Sequence, residues 1–138
     1  MEEEKGKLVV LAYNIHSFSK FDERLELILQ ELELQRWDAI VFSETWREEI
    51  RETFVIEYGH SWFGSGGSRG SKGVGILLHK RWKYKAFHAV SDRVCALDLT
   101  VFGKPLKIIG VYMPHGWLAD DHVEVAYAQL EVQIREAN

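Results

Sequence analysis

One cysteine and two prolines are all that the 138 residues contain of either type. A lone thiol excludes an internal disulfide. Cys95 lies in the run Val94-Cys95-Ala96-Leu97, which predicts a buried, inert thiol and suits a reducing intracellular compartment. No apolar run approaches the roughly 20 residues that cross a bilayer, so no membrane partner is expected. The start, Met1-Glu2-Glu3-Glu4-Lys5, lacks the basic residues and apolar stretch of a secretory leader. There is no HExxH pattern and no cysteine pair to hold zinc. The glycine-rich stretch from Gly64 to Ser71 also fails as a nucleotide cradle. Ser71 precedes Lys72 and Gly73 follows it, which breaks the GxxxxGK[ST] pattern, and a GxGxxG frame begun at Gly64 meets Arg69. The stretch reads instead as a flexible connection. Basic residues are not in excess: 17 Lys and Arg stand against 21 Asp and Glu, a net charge of −4. A chain that held nucleic acid through charge alone would carry a basic face, whereas an acidic balance also suits a domain that gathers carboxylates around a metal.

What is present is a globular composition, 46% apolar and 28% charged, with five Trp, five Tyr and seven Phe. The length fits one domain over residues 1–138. Leu8 to Ala12 is continuously apolar and predicts a strand covered on both faces. Ser19 and Asp22 form a helix start, and Phe21, Leu25, Ile28, Leu29 and Leu32 then recur at helical spacing, with Leu27 and Leu34 off that stripe. Asp38 to Phe42 predicts a second covered strand. Strand, helix and strand with short joints make a parallel βαβ unit. From Gly73 to Leu78, Lys83 to Val90 and Arg93 to Val101 short turns separate strand-like runs, which predicts antiparallel pairing. Leu106 to Met113 is a further covered strand, and Asp121 to Glu124 opens a final helix. The fold class expected is α/β, a mixed β-sheet with helices on one side.

Three of these strands end in residues able to do chemistry: Tyr13-Asn14-Ile15-His16, Ser43-Glu44-Thr45-Trp46 and Tyr112-Met113-Pro114-His115. Ligands gather at the carboxyl ends of strands in parallel sheets, so Asn14, Glu44 and Tyr112 are the candidate catalytic residues. Glu44 suits a hard cation such as Mg²⁺ (or Mn²⁺), which needs only one or two protein carboxylates; it equally suits a helix cap over residues 45–52. Asn14 can hold that carboxylate or a phosphate oxygen, or simply close a turn. Tyr112 can donate to a phosphoryl oxygen or pack in the core. His16, His115 and Lys72 are candidate substrate-binding residues. Lys72 belongs to the basic cluster of Arg69, Lys72, Lys80, Arg81, Lys83 and Lys85, which is either a phosphate-facing rim or a solvated surface.

Five segments in this order resemble the endonuclease/exonuclease/phosphatase family, most closely the endonuclease domains of non-LTR retrotransposons. They are Leu11-Ala12-Tyr13-Asn14-Ile15, Ile40-Val41-Phe42-Ser43-Glu44-Thr45-Trp46, Lys72-Gly73-Val74-Gly75-Ile76-Leu77-Leu78, Ser91-Asp92-Arg93-Val94 and Ile109-Gly110-Val111-Tyr112-Met113-Pro114. The resemblance implies half of a four-layer αββα sandwich. It implies a phosphodiester hydrolase in which Glu44 binds the divalent metal, Asn14 supports it, and Tyr112 contacts the scissile phosphate. It also implies nucleic acid as partner, DNA before RNA, and a nuclear setting for a DNA endonuclease. Some members carry an acid where His16 stands, and many carry Asn or Thr where His115 stands. A GDxN strand end and a terminal Asp-His pair, which supply the base in the family, are not found. The chain is thus expected to be an N-terminal half with little turnover. Half a sandwich would bare an apolar inner sheet face, which implies self-association or pairing with a C-terminal half. A non-catalytic remnant that binds through that face is the alternative. A small doubly wound nucleotide-binding domain fits less well, given the failed glycine motifs and the antiparallel middle.

Overall fold

A computed structural model of the chain describes residues 8–15, 21–67 and 72–112. The final helix expected from Asp121 onward, and the capping Ser19, lie outside the described residues. The elements run β1 (Val10–Asn14), α1 (Phe21–Glu31), β2 (Ala39–Ser43), β3 (Glu52–Val55), β4 (Ser61–Ser65), β5 (Val74–Leu78), β6 (Tyr84–Ala89), β7 (Val94–Val101) and β8 (Lys104–Val111). They form two sheets, one ordered β1-β2-β5-β4-β3 and the other β6-β7-β8. In the first, β1 and β2 are parallel and all other pairings are antiparallel. The mixed sheet with a helix on one side, expected from the sequence, is therefore present. The connection that carries α1 between β1 and β2 makes the parallel crossover, and the turns after β3, β6 and β7 are short enough for hairpins.

Side-chain alternation decides which face each layer covers. On β2, Ile40 and Phe42 point to α1, whose Leu25 and Ile28, with Leu32 just past its end, bury against them together with Trp37, Ile56, Trp62 and Leu77. Leu27 and Leu34, off the helical stripe, are exposed. On the opposite face, Ala39, Phe63, Val74, Ile76 and Leu78 meet Phe87, Cys95, Leu97, Leu99, Val101 and Ile108 from the second sheet. Each such fully buried aliphatic or aromatic side chain contributes on the order of 2 kcal/mol. The Cys95 thiol is wholly buried, and burial pushes it up to about 12. It is inert, as its apolar setting predicts.

Two expectations need correction. The inner face of the mixed sheet is not bare over its breadth, because the chain supplies its own second sheet to cover β2, β4 and β5. Nor are the first and last strands covered on both faces: among the described residues β1 and β8 are sheet edges, with β1 alternating between exposed and half-buried and β8 exposed over its first three residues before it becomes buried. Continuous hydrophobicity signalled burial, but a strand at a sheet edge is left partly uncovered. Leu11 and Tyr13 pack toward the helix side, while Val10, on the other face, remains 43% exposed. Only interior strands such as β2 and β5 are enclosed above and below.

A buried carboxylate ties the starts of the central strands together. Asp38 is fully buried and accepts from the Val9 N–H (2.7 Å), Arg81 Nη1 (2.8 Å), Trp82 Nε1 (2.8 Å) and Arg36 Nη2 (3.2 Å). Burial alone would raise its pKa, but the Val9, Trp82, Arg36 and Arg81 hydrogen bonds outweigh it and hold the carboxyl below its usual range. The same bonds fix Val10 opposite Ala39 and so set the register of the whole parallel pair. Beside this network, His60 and His79 lie with ring centres 4.5 Å apart and planes tilted by 52°, each edge-on to Trp37. Burial, then the neighbouring His79, Lys80 and Arg81, pull His60 down to about 4; burial and Arg81 do the same for His79. Both rings are ordinary imidazoles, near 6.5, in the unfolded chain. The unfolded state therefore binds more protons below pH 6.5, and stability present at neutral pH is lost as pH falls toward about 4. Urea midpoints measured across this window should drop on acidification, and the slope should flatten in His60→Gln.

Candidate active site at the strand ends

The carboxyl end of β2 is where the candidate site is built. Asn14 lies opposite Ser43 in the parallel register, and the Ile15 N–H donates to the Ser43 carbonyl at 3.0 Å. The two strands therefore finish level, with Asn14 and Glu44 at the same end. Asn14 shares the β1 face of Val10 and Ala12 and is exposed there. Tyr112 reaches the same place from the second sheet. Gly110 allows this: a Cβ at that position would sit 3.1 Å from Cys95 Sγ and Val74 Cγ2 and 3.2 Å from Val41 Cγ1. Without a side chain at Gly110, β8 lies close over β2 and β5. Tyr112, two residues on, falls on the same side of the strand. Its backbone N–H donates to the Arg93 carbonyl at 2.7 Å, and its hydroxyl donates to Glu44 Oε1 at 3.3 Å.

Glu44 has a left-handed backbone, φ 55°, which is uncommon outside glycine. Thr45 and Trp46, bonded to the entry of β5, hold the turn. The Thr45 side chain is buried, its N–H donates to the Gly73 carbonyl at 3.3 Å, and the Trp46 N–H donates to the Lys72 carbonyl at 2.6 Å. Gly73 itself has φ 112°, and a Cβ there would lie 2.3 Å from Thr45 Oγ1. Its N–H donates to the Asp92 carbonyl at 3.0 Å. The entry to β5 thus clamps the turn that carries the carboxylate. The Glu44 Oε2 atom is withdrawn from solvent inside this turn. No helix comes after it, since residues 44–49 are irregular and lead to β3; the reading of Glu44 as a helix cap falls.

The electrostatics keep the phenol protonated. Burial raises the Tyr112 pKa, the adjacent Glu44 charge and hydrogen bond raise it further, and Arg93 opposes them. Tyr112 is therefore a donor through the neutral range. Arg93, a buried cation next to Tyr112, was not singled out as a site residue from the sequence. Its signal was present in Ser91-Asp92-Arg93-Val94, a charged residue at the mouth of a strand, but nothing local distinguishes it from a turn residue.

The donors gathered here are a carboxylate, a phenol and, at the neighbouring strand end, an amide. All are oxygen groups of the kind a hard cation takes. Among the described residues no cluster of three or more His, Cys, Asp or Glu is arranged for a metal. A soft-metal site of that kind is not formed by them, whereas Mg²⁺ needs only one or two carboxylates. Lys72 contributes its carbonyl to the clamp. His16 and His115 lie outside the described residues, as does Arg69. The rest of the basic cluster divides. Lys72 precedes β5 at the site end, while Lys80 and Arg81 follow β5 at the far end, where they flank the histidine pair. A single phosphate-facing rim is therefore not formed by these residues. A cavity of about 360 Å³ opens at that far end beside Trp37, Tyr58, His60 and His79. His60 Nδ1 accepts from the Lys80 N–H at 3.0 Å, so the neutral ring carries its proton on Nε2 and is no metal ligand in that state.

No family model matches the chain, and no curated protein matches it. Solved structures do. A 3′ phosphatase, NExo, from Neisseria, bound to a product DNA hairpin, matches with a TM-score of 0.62 at 20% identity over 94% of this chain and 52% of that one. An AP endonuclease from Archaeoglobus fulgidus matches with a TM-score of 0.61 at 18% identity, over 95% of this chain and 51% of that one. An endonuclease/exonuclease/phosphatase family protein from Leptotrichia buccalis matches with a TM-score of 0.51 at 13% identity, over 90% and 61%. The chain has the α/β sandwich fold of these proteins, and spans about half the length of the first two.

The clamp on Glu44 makes a direct prediction. Gly73→Ala should lower stability by about 2 kcal/mol or more, since it adds both backbone strain and a collision with Thr45. Gly103→Ala is the control: φ is 78° there too, but nothing lies within 4 Å of the added carbon. It should cost about 1 kcal/mol. Urea denaturation of both variants measures the difference.

Proposed function

We propose that this chain is part of a metal-dependent phosphodiester hydrolase of the nuclease type, acting on DNA. The observation that carries the proposal is the meeting of Glu44 and Tyr112, 68 residues apart, at the ends of strands from two different sheets. Supporting it, the proteins of like fold include one solved with a DNA hairpin and one described as an AP endonuclease. The five sequence segments favour a non-LTR retrotransposon-type endonuclease within that fold.

In this reading Glu44 would hold Mg²⁺ or Mn²⁺, with Asn14 beside it. When bound, the cation supplies charge stabilisation at the phosphoryl oxygens and polarises the attacking water. Tyr112 keeps its proton and, with substrate bound, would turn its hydroxyl from Glu44 Oε1 to a non-bridging oxygen of the scissile phosphate. Arg93, behind Tyr112, adds positive potential where negative charge grows in the transition state. Lys72, His16 and His115 are proposed substrate contacts. No GDxN strand end and no terminal Asp-His pair to serve as a base for the water are found in the sequence; its one Asp-His dipeptide, Asp121-His122, opens the expected final helix and lies outside the described residues. We therefore expect weak turnover from the 138 residues alone, with the remaining groups supplied by a complementary half.

A second reading rests on a different observation. The edge strand β1 presents exposed Val10 at an open side of the described sheet, which favours a non-catalytic binding or self-associating module.

Titrating Mg²⁺ or Mn²⁺ into the chain by calorimetry should show binding that weakens at least 10-fold in Glu44→Gln. An abasic or nicked duplex should bind in a metal-dependent way and be cut slowly. Tyr112→Phe should lower cleavage by about 10-fold or more while metal binding persists. Binding of DNA that ignores both the metal and Glu44→Gln would leave the non-catalytic module as the better account, and rapid cleavage by the purified chain would refute the need for a second half.

A further inference from the structure

Trp46 has a backbone conformation that does nothing for its own burial. Its φ is 57°, left-handed like that of Glu44, so two non-glycine residues in this conformation flank the buried Thr45. Such a backbone is costly for a bulky residue and persists only where the surroundings enforce it. The enforcement is visible on both sides. Upstream, the Trp46 N–H is tied to the Lys72 carbonyl. Downstream, Arg47 pairs with Glu52, which also accepts from Trp62 Nε1 at 3.1 Å. The Gly66 N–H donates to the Glu49 carbonyl at 2.9 Å, and the Gly67 N–H to the Arg47 carbonyl at 3.3 Å.

The outcome of this bracing is a large indole left in water. Trp46 is 48% exposed, whereas Trp37 and Trp62 are buried. It stands two residues from Glu44, within about 7 Å of chain. Arg47, directly after it, is paired with Glu52, and Glu48 and Glu49 beyond are exposed acids, so the adjoining loop favours a base over a phosphate. A flat, uncharged, rigidly mounted face beside a phosphodiester site has one natural occupant, the face of a nucleobase.

We propose that Trp46 is a stacking platform for a base lying outside the duplex stack, next to the phosphodiester at Glu44 and Tyr112. The substrate class is then DNA that is single-stranded or frayed at the cleavage point, in preference to intact duplex. The inference rests on the nuclease reading of the same site. A base inside a duplex has both faces occupied by its neighbours, so only an unstacked one can lie on the indole.

The experiment is equilibrium binding of the full chain, with Ca²⁺ or Mg²⁺, to a fluorescently labelled short oligothymidylate and to a blunt duplex of equal length. The unmodified chain should favour the single strand. Trp46→Ala should lose about 10-fold or more of that affinity and leave duplex binding unchanged, and Trp46→Tyr should recover most of the loss. Trp46→Gly separates strain from fold damage. It should raise the urea midpoint, because glycine adopts this φ freely, while losing the single-strand preference as Trp46→Ala does. Metal- and Glu44-dependent binding that is untouched in Trp46→Ala would overturn this inference and leave the nuclease reading standing. An unmodified chain that binds neither DNA, or binds without regard to Glu44→Gln, would overturn both.

Discussion

The close approach of the two sheets at Gly110 is the constraint on which the candidate site depends. With any larger residue there, β8 would have to lift away from Val41, Val74 and Cys95 by several tenths of an ångström. The 3.3 Å bond between the Tyr112 hydroxyl and Glu44 has no such slack. Sheets that pack face to face usually stand about 10 Å apart. Two residues can hydrogen-bond across that gap only at its rim, where one strand leans in and a long side chain bridges the rest. Gly110 supplies the lean and Tyr112 the length.

The other end of the molecule serves the same purpose by different means. Asp38 collects a backbone amide, an indole and two guanidinium groups, and so brings the starts of β1 and β2, the β5–β6 turn and the loop after α1 to one point. A buried carboxylate with fewer partners would cost several kcal/mol; satisfied as it is, it specifies register. Since β1 and β2 are parallel and equally long, fixing Val10 against Ala39 at one end places Asn14 against Ser43 at the other. The charge sits far from the site, and its consequence appears at the site.

Between these two anchors lies a turn whose strain sets where its side chains point. Glu44 and Trp46 occupy left-handed conformations that Thr45, Lys72 and Gly73 hold in place. Strain of this kind, a few kcal/mol at most, is supported by the enclosed central strands on either side. The histidine pair at the far end is a comparable arrangement: neutral imidazoles, His60 buried and His79 half-buried, that are tolerated at neutral pH and become a liability in acid.

Much of this was legible in the residues alone. The 3.6-residue stripe of α1, the apolar runs of β2 and β5, the turn at Ser91-Asp92 and the inert setting of Cys95 follow from local pattern, because burial periodicity is a property of consecutive residues. The convergence of strand ends was legible as well, since parallel neighbours joined by a crossover finish at the same end. What local pattern could not decide was partnership. An apolar run looks the same in an interior strand and at a sheet edge, so β1 and β8 read as enclosed when they are not. The second sheet, the buried Arg93, the division of the basic residues between opposite ends, and the left-handed turn at Glu44 all arise from contacts between segments distant in sequence. Composition and spacing determined which groups this protein has to offer; only the packing of one sheet on the other decided which of them meet, because that distance is set by a missing side chain at Gly110 rather than by any residue of the site.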